Sequence, residues 1–216
     1  MTAGEIDSQI LAQLEAVYPV SRETIDRLGT YQALLNKWQA KTNLVARGTL
    51  DQFWLRHVAD SLQLAALKPD ARRWTDLGSG GGFPGMVLAI VLAEGGGQGQ
   101  VHLVESIQKK CAFLRQVAHG TEARATIHCK RIESATEQLA DCAVITARAL
   151  APLPRLLDWT GDHIRDGRVA LFPKGRDYLR EIEDCRGRWR FDLLEHPGRI
   201  DATACILEIA NVERIG

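Results

Sequence analysis

The chain has 216 residues, with 27 basic side chains balanced by 27 acidic ones and a hydrophobic fraction of 45%. That length suits one domain with an appendage, in a composition ordinary for a water-soluble globular protein. A formal net charge of zero excludes a broadly basic nucleic-acid coat, and the longest apolar run, Met86 to Ala93, is too short to cross a bilayer.

Three amphipathic helices are predicted first. Ile6, Ile10, Leu11, Leu14 and Val17 recur at helical spacing, and Pro19 ends the run. Ser21 is a plausible cap for a second helix through Ile25, Leu28, Tyr31, Leu34, Leu35 and Trp38. A third is expected from about Asp51 to Leu67, stopping before Pro69. The period then changes. Strands are predicted at Trp74–Leu77, Val101–Glu105, Ala125–His128, Asp141–Thr146 and Val169–Phe172. Helices are predicted after them at Pro84–Glu94, Ile107–His119, near Ser134–Leu139, at Leu153–Ile164 and at Arg176–Cys185. Gly95 to Gln100 reads as a flexible turn. Arg190–Leu194 and Ala204–Ile209 close the chain without a helix between them. Alternating strands and helices imply an α/β doubly wound parallel sheet, and the last two strands imply an antiparallel pair. The expected division is an N-terminal helical extension, 1–70, packed on an α/β domain, 71–216.

The most informative stretch is Trp74-Thr-Asp76-Leu-Gly78-Ser-Gly80-Gly-Gly82-Phe-Pro84-Gly85. An apolar segment ends in an acid, then a glycine-rich turn, then a proline that can open a helix. Glycines let backbone approach a ligand closely, and a helix N-terminus offers unpaired N–H groups. Gly80-x-Gly82-x-x-Gly85 formally satisfies the dinucleotide fingerprint. The phase Asp76-x-Gly78-x-Gly80-x-Gly82 instead resembles motif I of the S-adenosylmethionine-dependent methyltransferases, in which the acid orders the loop. Glu105 lies 23 residues beyond Gly82, at the end of the second strand. An acid there can accept bonds from both hydroxyls of a ribose.

Other motifs narrow the resemblance. Glu105-Ser-x-x-Lys109-Lys110-x-x-Phe113-Leu114, the Gly-Gly-Phe-Pro-Gly turn and Thr146-Ala-Arg148-Ala149 are similar to the RsmG (GidB) family, bacterial methyltransferases of small-subunit ribosomal RNA. His57-x-x-Asp60-Ser61 and Lys174-Gly175 match it too, in the right order. The similarity runs from about Asn36 to Gly175, with one departure: Asn43-Leu44-Val45 stands where many members read Asn-Leu-Thr. The resemblance implies a Rossmann-like class I methyltransferase with a mostly parallel seven-stranded sheet and S-adenosylmethionine as cofactor. It places Gly78, Gly80 and Phe83 around the methionine and adenosine, Glu105 on the ribose, and Ile132 and Glu133 beside the adenine. Arg148 would lie at the carboxyl end of the fourth strand, where ligands gather in such sheets.

The motif Asn/Asp-Pro-Pro-aromatic, which holds exocyclic amines, is absent: Thr146-Ala-Arg-Ala takes its place. None of the five cysteines has the context of a nucleophile. Guanine N7 needs neither device, because its lone pair carries no proton, and the family's product is 7-methylguanosine. Candidates to hold the RNA are Lys37, Lys41, Arg47, Arg56, His57 and Lys174. Residues 37–73 carry seven basic side chains against three acidic ones. The substrate would be small-subunit ribosomal RNA, naked or in an assembled particle. The five cysteines show no C-x-x-C spacing, so no metal is expected and the thiols suit a reducing cytoplasm. The N-terminus lacks a secretion signal. A cytoplasmic monomer without membrane contact is expected. Rival readings are a class I methyltransferase of small molecules or proteins, an NAD-dependent oxidoreductase, and a nucleotide-sensing module without turnover.

Overall fold

A computed structural model describes residues 6–94 and 98–216, without the side chain of Arg47. Residues 95–97 of the expected glycine-rich turn lie outside the described residues. Helix α1 (Ser8–Val17) begins where the Asp7 carboxylate accepts the Gln9 N–H at 2.7 Å. Helix α2 (Arg22–Gln39) begins where the Ser21 hydroxyl accepts the Thr24 N–H at 3.1 Å, with Glu23 in the first turn to oppose the helix dipole.

The third predicted helix is instead three windings in sequence. A 3₁₀ segment, Arg47–Gln52, leads into a π-helical segment, Phe53–Ala59, and then into α3 (Asp60–Leu67). The π segment buries Phe53, Trp54, His57, Val58 and Ala59, a face wider than an α stripe can present.

Strands β1 (Arg73–Leu77), β2 (Gln100–Glu105), β3 (Ala125–Cys129), β4 (Val144–Thr146) and β5 (Val169–Lys174) are parallel. Strands β6 (Trp189–Pro197) and β7 (Cys205–Arg214) form an antiparallel hairpin, and β7 pairs antiparallel with β5. The sheet order is β3-β2-β1-β4-β5-β7-β6. Five helices follow the parallel strands in turn: α4 (Gly85–Leu92), α5 (Gln108–Gly120), α6 (Thr136–Asp141), α7 (Leu153–Thr160) and α8 (Tyr178–Glu183). Strand β4 is shorter than predicted because Asp141 closes α6.

Alternate side chains of each strand enter two cores. Trp74, Val101, Leu103, Val144 and Leu171 pack on one face, and Leu77, Val104, Ile145, Ala170 and Phe172 on the other. Helix α4 is apolar on every side, and its residues from Gly85 to Val91 are all buried. It can be so because the sheet covers one side while Leu28, Tyr31 and Leu35 of α2, with Leu62 of α3, share the same core. Truncating a fully buried aromatic of that core, such as Phe113, costs about 3–5 kcal/mol. The N-terminal helices thereby reach the sheet's carboxyl edge. Strand order reverses between β1 and β4, and such a switch point opens a crevice.

Candidate functional site

The loop after β1 turns on backbone conformations that side chains disfavour: φ is +62° at Gly78 and +95° at Gly82. A Cβ at Gly82 would also stand 2.5 Å from the Tyr31 hydroxyl. Two elements hold the loop. The Glu105 carboxylate accepts the Gly80 N–H at 3.0 Å and the Ile107 N–H at 2.8 Å, one on each oxygen. From the other side the Tyr31 hydroxyl donates to the Gly81 carbonyl. Glu105 therefore ties the loop to the end of β2. The backbone carbonyl of Asp76, the acid to which the motif I resemblance gives the ordering of the loop, accepts from the Ser79 hydroxyl at 3.0 Å.

The Asp76 carboxylate is fully buried, and no group among the described residues meets either oxygen in full hydrogen-bond geometry. Burial pushes its pKa up to about 7, against the pull of Ser79, the Gly85 N–H and Arg148. The hydroxyl oxygen of Thr146, its neighbour across β1 and β4, is likewise without a partner.

Arg148, two residues beyond β4, meets the π-helical segment. Its Nη1 donates to the Arg56 carbonyl at 3.1 Å and its Nη2 to His57 Nδ1 at 2.9 Å. The guanidinium carbon lies 5.2 Å from the centre of the Phe83 ring. Phe83 stacks on His57 at 4.6 Å and on Tyr31 at 5.1 Å. Asp60 stands 3.9 Å from Arg148. His57 is 6% exposed; burial, then Arg148 and Arg56, bring its pKa down to about 4. The partners of the His57 imidazole are Arg148 and, at 3.0 Å, the Thr49 hydroxyl, rather than Asp60 three residues on. A π turn advances less per residue than an α turn, so the residue three positions on falls short of a full turn and lies away from His57.

Ala149 takes φ +52°, a conformation that costs a non-glycine residue about 1–2 kcal/mol. Lys174 braces this stretch: its ammonium donates to the Ala151 carbonyl at 2.9 Å and to Glu181 at 2.6 Å. Glu181 in turn accepts the Leu153 N–H at 2.7 Å. Lys174 is 9% exposed, so the cation expected to face phosphates is spent on the loop that carries Arg148.

A cavity of about 720 Å³ opens over these groups. Gly78, Gly80, Phe83, Arg148 and Lys174 line it, as do Arg56 and His57. Glu105 stands behind the loop, bonded to Gly80. Ile132 and Glu133 lie beyond β3, outside the lining; Glu133 accepts from Trp159 at 3.2 Å and faces Arg155 at 3.8 Å. Lys37 and Lys41 are exposed away from the cavity. Arg56 pairs with Asp201 at 2.7 Å. Sequence reasoning missed Tyr31, Thr49, Glu181 and Asp201. Tyr31 read as one more apolar position of α2, and no spacing rule joins the other three to the cavity.

The family described as GidB, rRNA small subunit methyltransferase G, matches residues 24–198. The chain is 51% identical over 199 residues to a ribosomal RNA small subunit methyltransferase G of Rhizobium leguminosarum bv. trifolii, covering 91% of this chain and 96% of that one. It is 49% identical over 202 residues to the protein of the same name from Brucella ovis, covering 93% and 94%. Among solved structures, an O-methyltransferase from Bacillus cereus in complex with SAH superposes with a TM-score of 0.59 at 16% identity, covering 97% of this chain and all of that one. A putative O-methyltransferase from Klebsiella pneumoniae gives 0.57 at 15% identity, covering 97% and 99%. These two share the fold.

Proposed function

The chain belongs to the rRNA small subunit methyltransferase G family, and we propose that it methylates N7 of a guanine in small-subunit (16S) ribosomal RNA, with Arg148 between cofactor and base. The methyl donor is S-adenosylmethionine, and the residues present fit it. Each oxygen of Glu105 already takes one backbone N–H and keeps a second acceptor site, enough for two ribose hydroxyls. At Gly78 the backbone takes φ +62°, which side chains disfavour, so glycine lets the loop wall run close to the ligand there. Phe83 lines the same cavity. Ile132 would cover the adenine, whose edge the backbone at Glu133 reads while the Glu133 carboxylate stays with Trp159. When bound, the cofactor supplies an electrophilic methyl group on sulfonium.

The observation that carries N7 is the engagement of the carboxylates and imidazole around the cavity. His57 uses both ring nitrogens. Asp201 is held by Arg56 and Thr203, and Glu181 by Lys174 and the Leu153 N–H. Asp60 faces Arg148 and Gln63. Methylation of an exocyclic amine or a hydroxyl must shed a proton to a base. N7 presents a bare lone pair, so alignment is what the site has to provide, and alignment can contribute on the order of 7–11 kcal/mol. The Arg148 guanidinium keeps donors beyond the two bonds it makes, and a rigid fork suits the guanine O6 beside N7.

Arg56 at the cavity mouth, with Lys37, Lys41 and Arg47, would hold the flanking phosphates. With both nitrogens engaged, His57 serves Arg148 rather than the RNA, and Lys174 serves the loop. The protein works as a cytoplasmic monomer, on naked RNA or on an assembled particle. No described helix is long and apolar enough to cross a membrane.

The test is mass analysis of 16S ribosomal RNA nucleosides from cells with and without this gene. One 7-methylguanosine should vanish on deletion and return with the wild-type chain. Loss of a different methylated nucleoside would overturn the N7 assignment.

A further inference from the structure

We propose that Thr49 is a positioning residue for methyl transfer, acting through His57 to fix the guanidinium of Arg148 in the cavity. The inference rests on the reading of Arg148 as the group that meets the base. Its carrier is a hydrogen-bond chain whose direction has only one solution. A guanidinium donates and never accepts, so the 2.9 Å contact from Arg148 Nη2 requires a lone pair on His57 Nδ1. A neutral imidazole with a bare Nδ1 carries its proton on Nε2. That proton points to Thr49 Oγ1, 3.0 Å away. The Thr49 hydroxyl passes its own proton to the Ala46 carbonyl at 2.9 Å. Every donor in the chain has an acceptor, and reversing the His57–Thr49 link would put the ring proton on Nδ1, against the Arg148 N–H.

The other ring nitrogen's hydrogen bond decides the tautomer of a histidine. Without the Thr49 hydroxyl, the Nε2 proton loses its acceptor, and the tautomer with hydrogen on Nδ1, which turns an N–H against Arg148, becomes competitive. The ring itself cannot swing away, because Phe83 stacks on it. Arg148 would then keep only its bond to the Arg56 carbonyl and could rotate about it. Thr49 does this from a 3₁₀ turn where Ala46 and Thr49 are already paired through N–H and carbonyl at 2.9 Å, so the hydroxyl is held before the substrate arrives.

The experiment compares Thr49→Val, nearly isosteric but without a hydroxyl, with Thr49→Ser and Arg148→Ala. Steady-state kinetics on 30S-derived RNA and nitrogen-15 spectra of the His57 ring are measured on the full chain. Thr49→Val should lower kcat about tenfold, the loss expected from one hydrogen bond, with KM for S-adenosylmethionine unchanged. Thr49→Ser should restore wild-type kcat. In the wild type the His57 nitrogens should report a protonated Nε2 and a bare Nδ1, and in Thr49→Val a mixture. Wild-type kcat and an unchanged tautomer in Thr49→Val, with Arg148→Ala inactive, would sink this inference and leave the parent reading standing. Equal impairment in the valine and serine variants would also sink it, since the hydroxyl would then be irrelevant. Full activity in Arg148→Ala would overturn the parent reading and this one together.

Discussion

The carboxylate of Glu105 accepts the Gly80 N–H at 3.0 Å, so the acid ending β2 holds shut the loop that begins at the end of β1. Strand pairing sets this up: β1 and β2 run parallel with Leu77 opposite Val104, which brings Glu105 level with the turn. Glu105→Ala should therefore act twice, removing the ribose acceptor and leaving two backbone N–H groups without their partner. The expected stability loss is about 1–3 kcal/mol, with S-adenosylmethionine affinity down at least about a hundredfold. Thermal melting and titration calorimetry check both. Intact cofactor affinity in a destabilised variant would limit Glu105 to loop support.

Arg148→Ala should severely impair methyl transfer while the fold survives, because the side chain's partners, a carbonyl, an imidazole and the Asp60 carboxylate, can be rehydrated at the cavity. Arg148→Lys should recover little, since one ammonium cannot reproduce a planar fork. The expected loss in kcat/KM is on the order of a hundredfold or more. Unchanged kcat/KM in the alanine variant would reduce Arg148 to packing on Phe83.

Two buried groups make opposite contributions to the pH dependence of stability. His57 is held at about 4 in the native state against an ordinary 6.5. As pH falls through that window the unfolded chain gains a proton that the native state refuses, and stability is lost. Asp76 is raised from 3.8 to about 7, so the native state keeps a proton that the unfolded chain releases, and stability falls as pH rises through that window. The slopes oppose each other from about pH 4 to 6.5, each bounded by about 1.4 kcal/mol per unit. Asp76→Asn should make the melting temperature climb more steeply with pH than in the wild type, and His57→Asn should make it fall. Superimposable pH profiles for all three proteins would contradict both assignments.

Arg56 offers RNA a cation that Asp201 already occupies at 2.7 Å. Asp201→Asn should tighten RNA binding and steepen its salt dependence, because a freed guanidinium adds a phosphate contact worth about −0.7 to −0.9 in the slope of log affinity against log salt. Neutralising Lys37, Lys41, Arg47 and Arg56 together should flatten that slope without altering S-adenosylmethionine affinity. A quadruple variant with the wild-type slope would move the RNA to another face, with the Lys109-Lys110 pair the next to test.

The order of elements, the switch from helical to strand period at Trp74, and the glycine loop with Glu105 behind it were all legible in the chain alone. Each is a local property: side-chain period, glycine phase and turn chemistry act over a few residues. What tertiary structure decided lies across long separations. Residues 51–67 carry an apolar spacing that an α-helix would satisfy, yet the need to bury Phe53, Trp54 and His57 on one wide face winds the stretch from Phe53 to Ala59 as a π-helix. Tyr31 reaches Gly81, and Arg148 reaches His57, only because the N-terminal helices pack over α4 onto the sheet's carboxyl edge. Lys174 turned inward for the same kind of reason, since β5 ends beside Glu181 and a buried ammonium must be paired. Sequence by itself determined which backbone each segment prefers and which family the chain resembles. Which polar atoms meet across the cavity is a matter of packing and desolvation, and no short-range pattern encodes it.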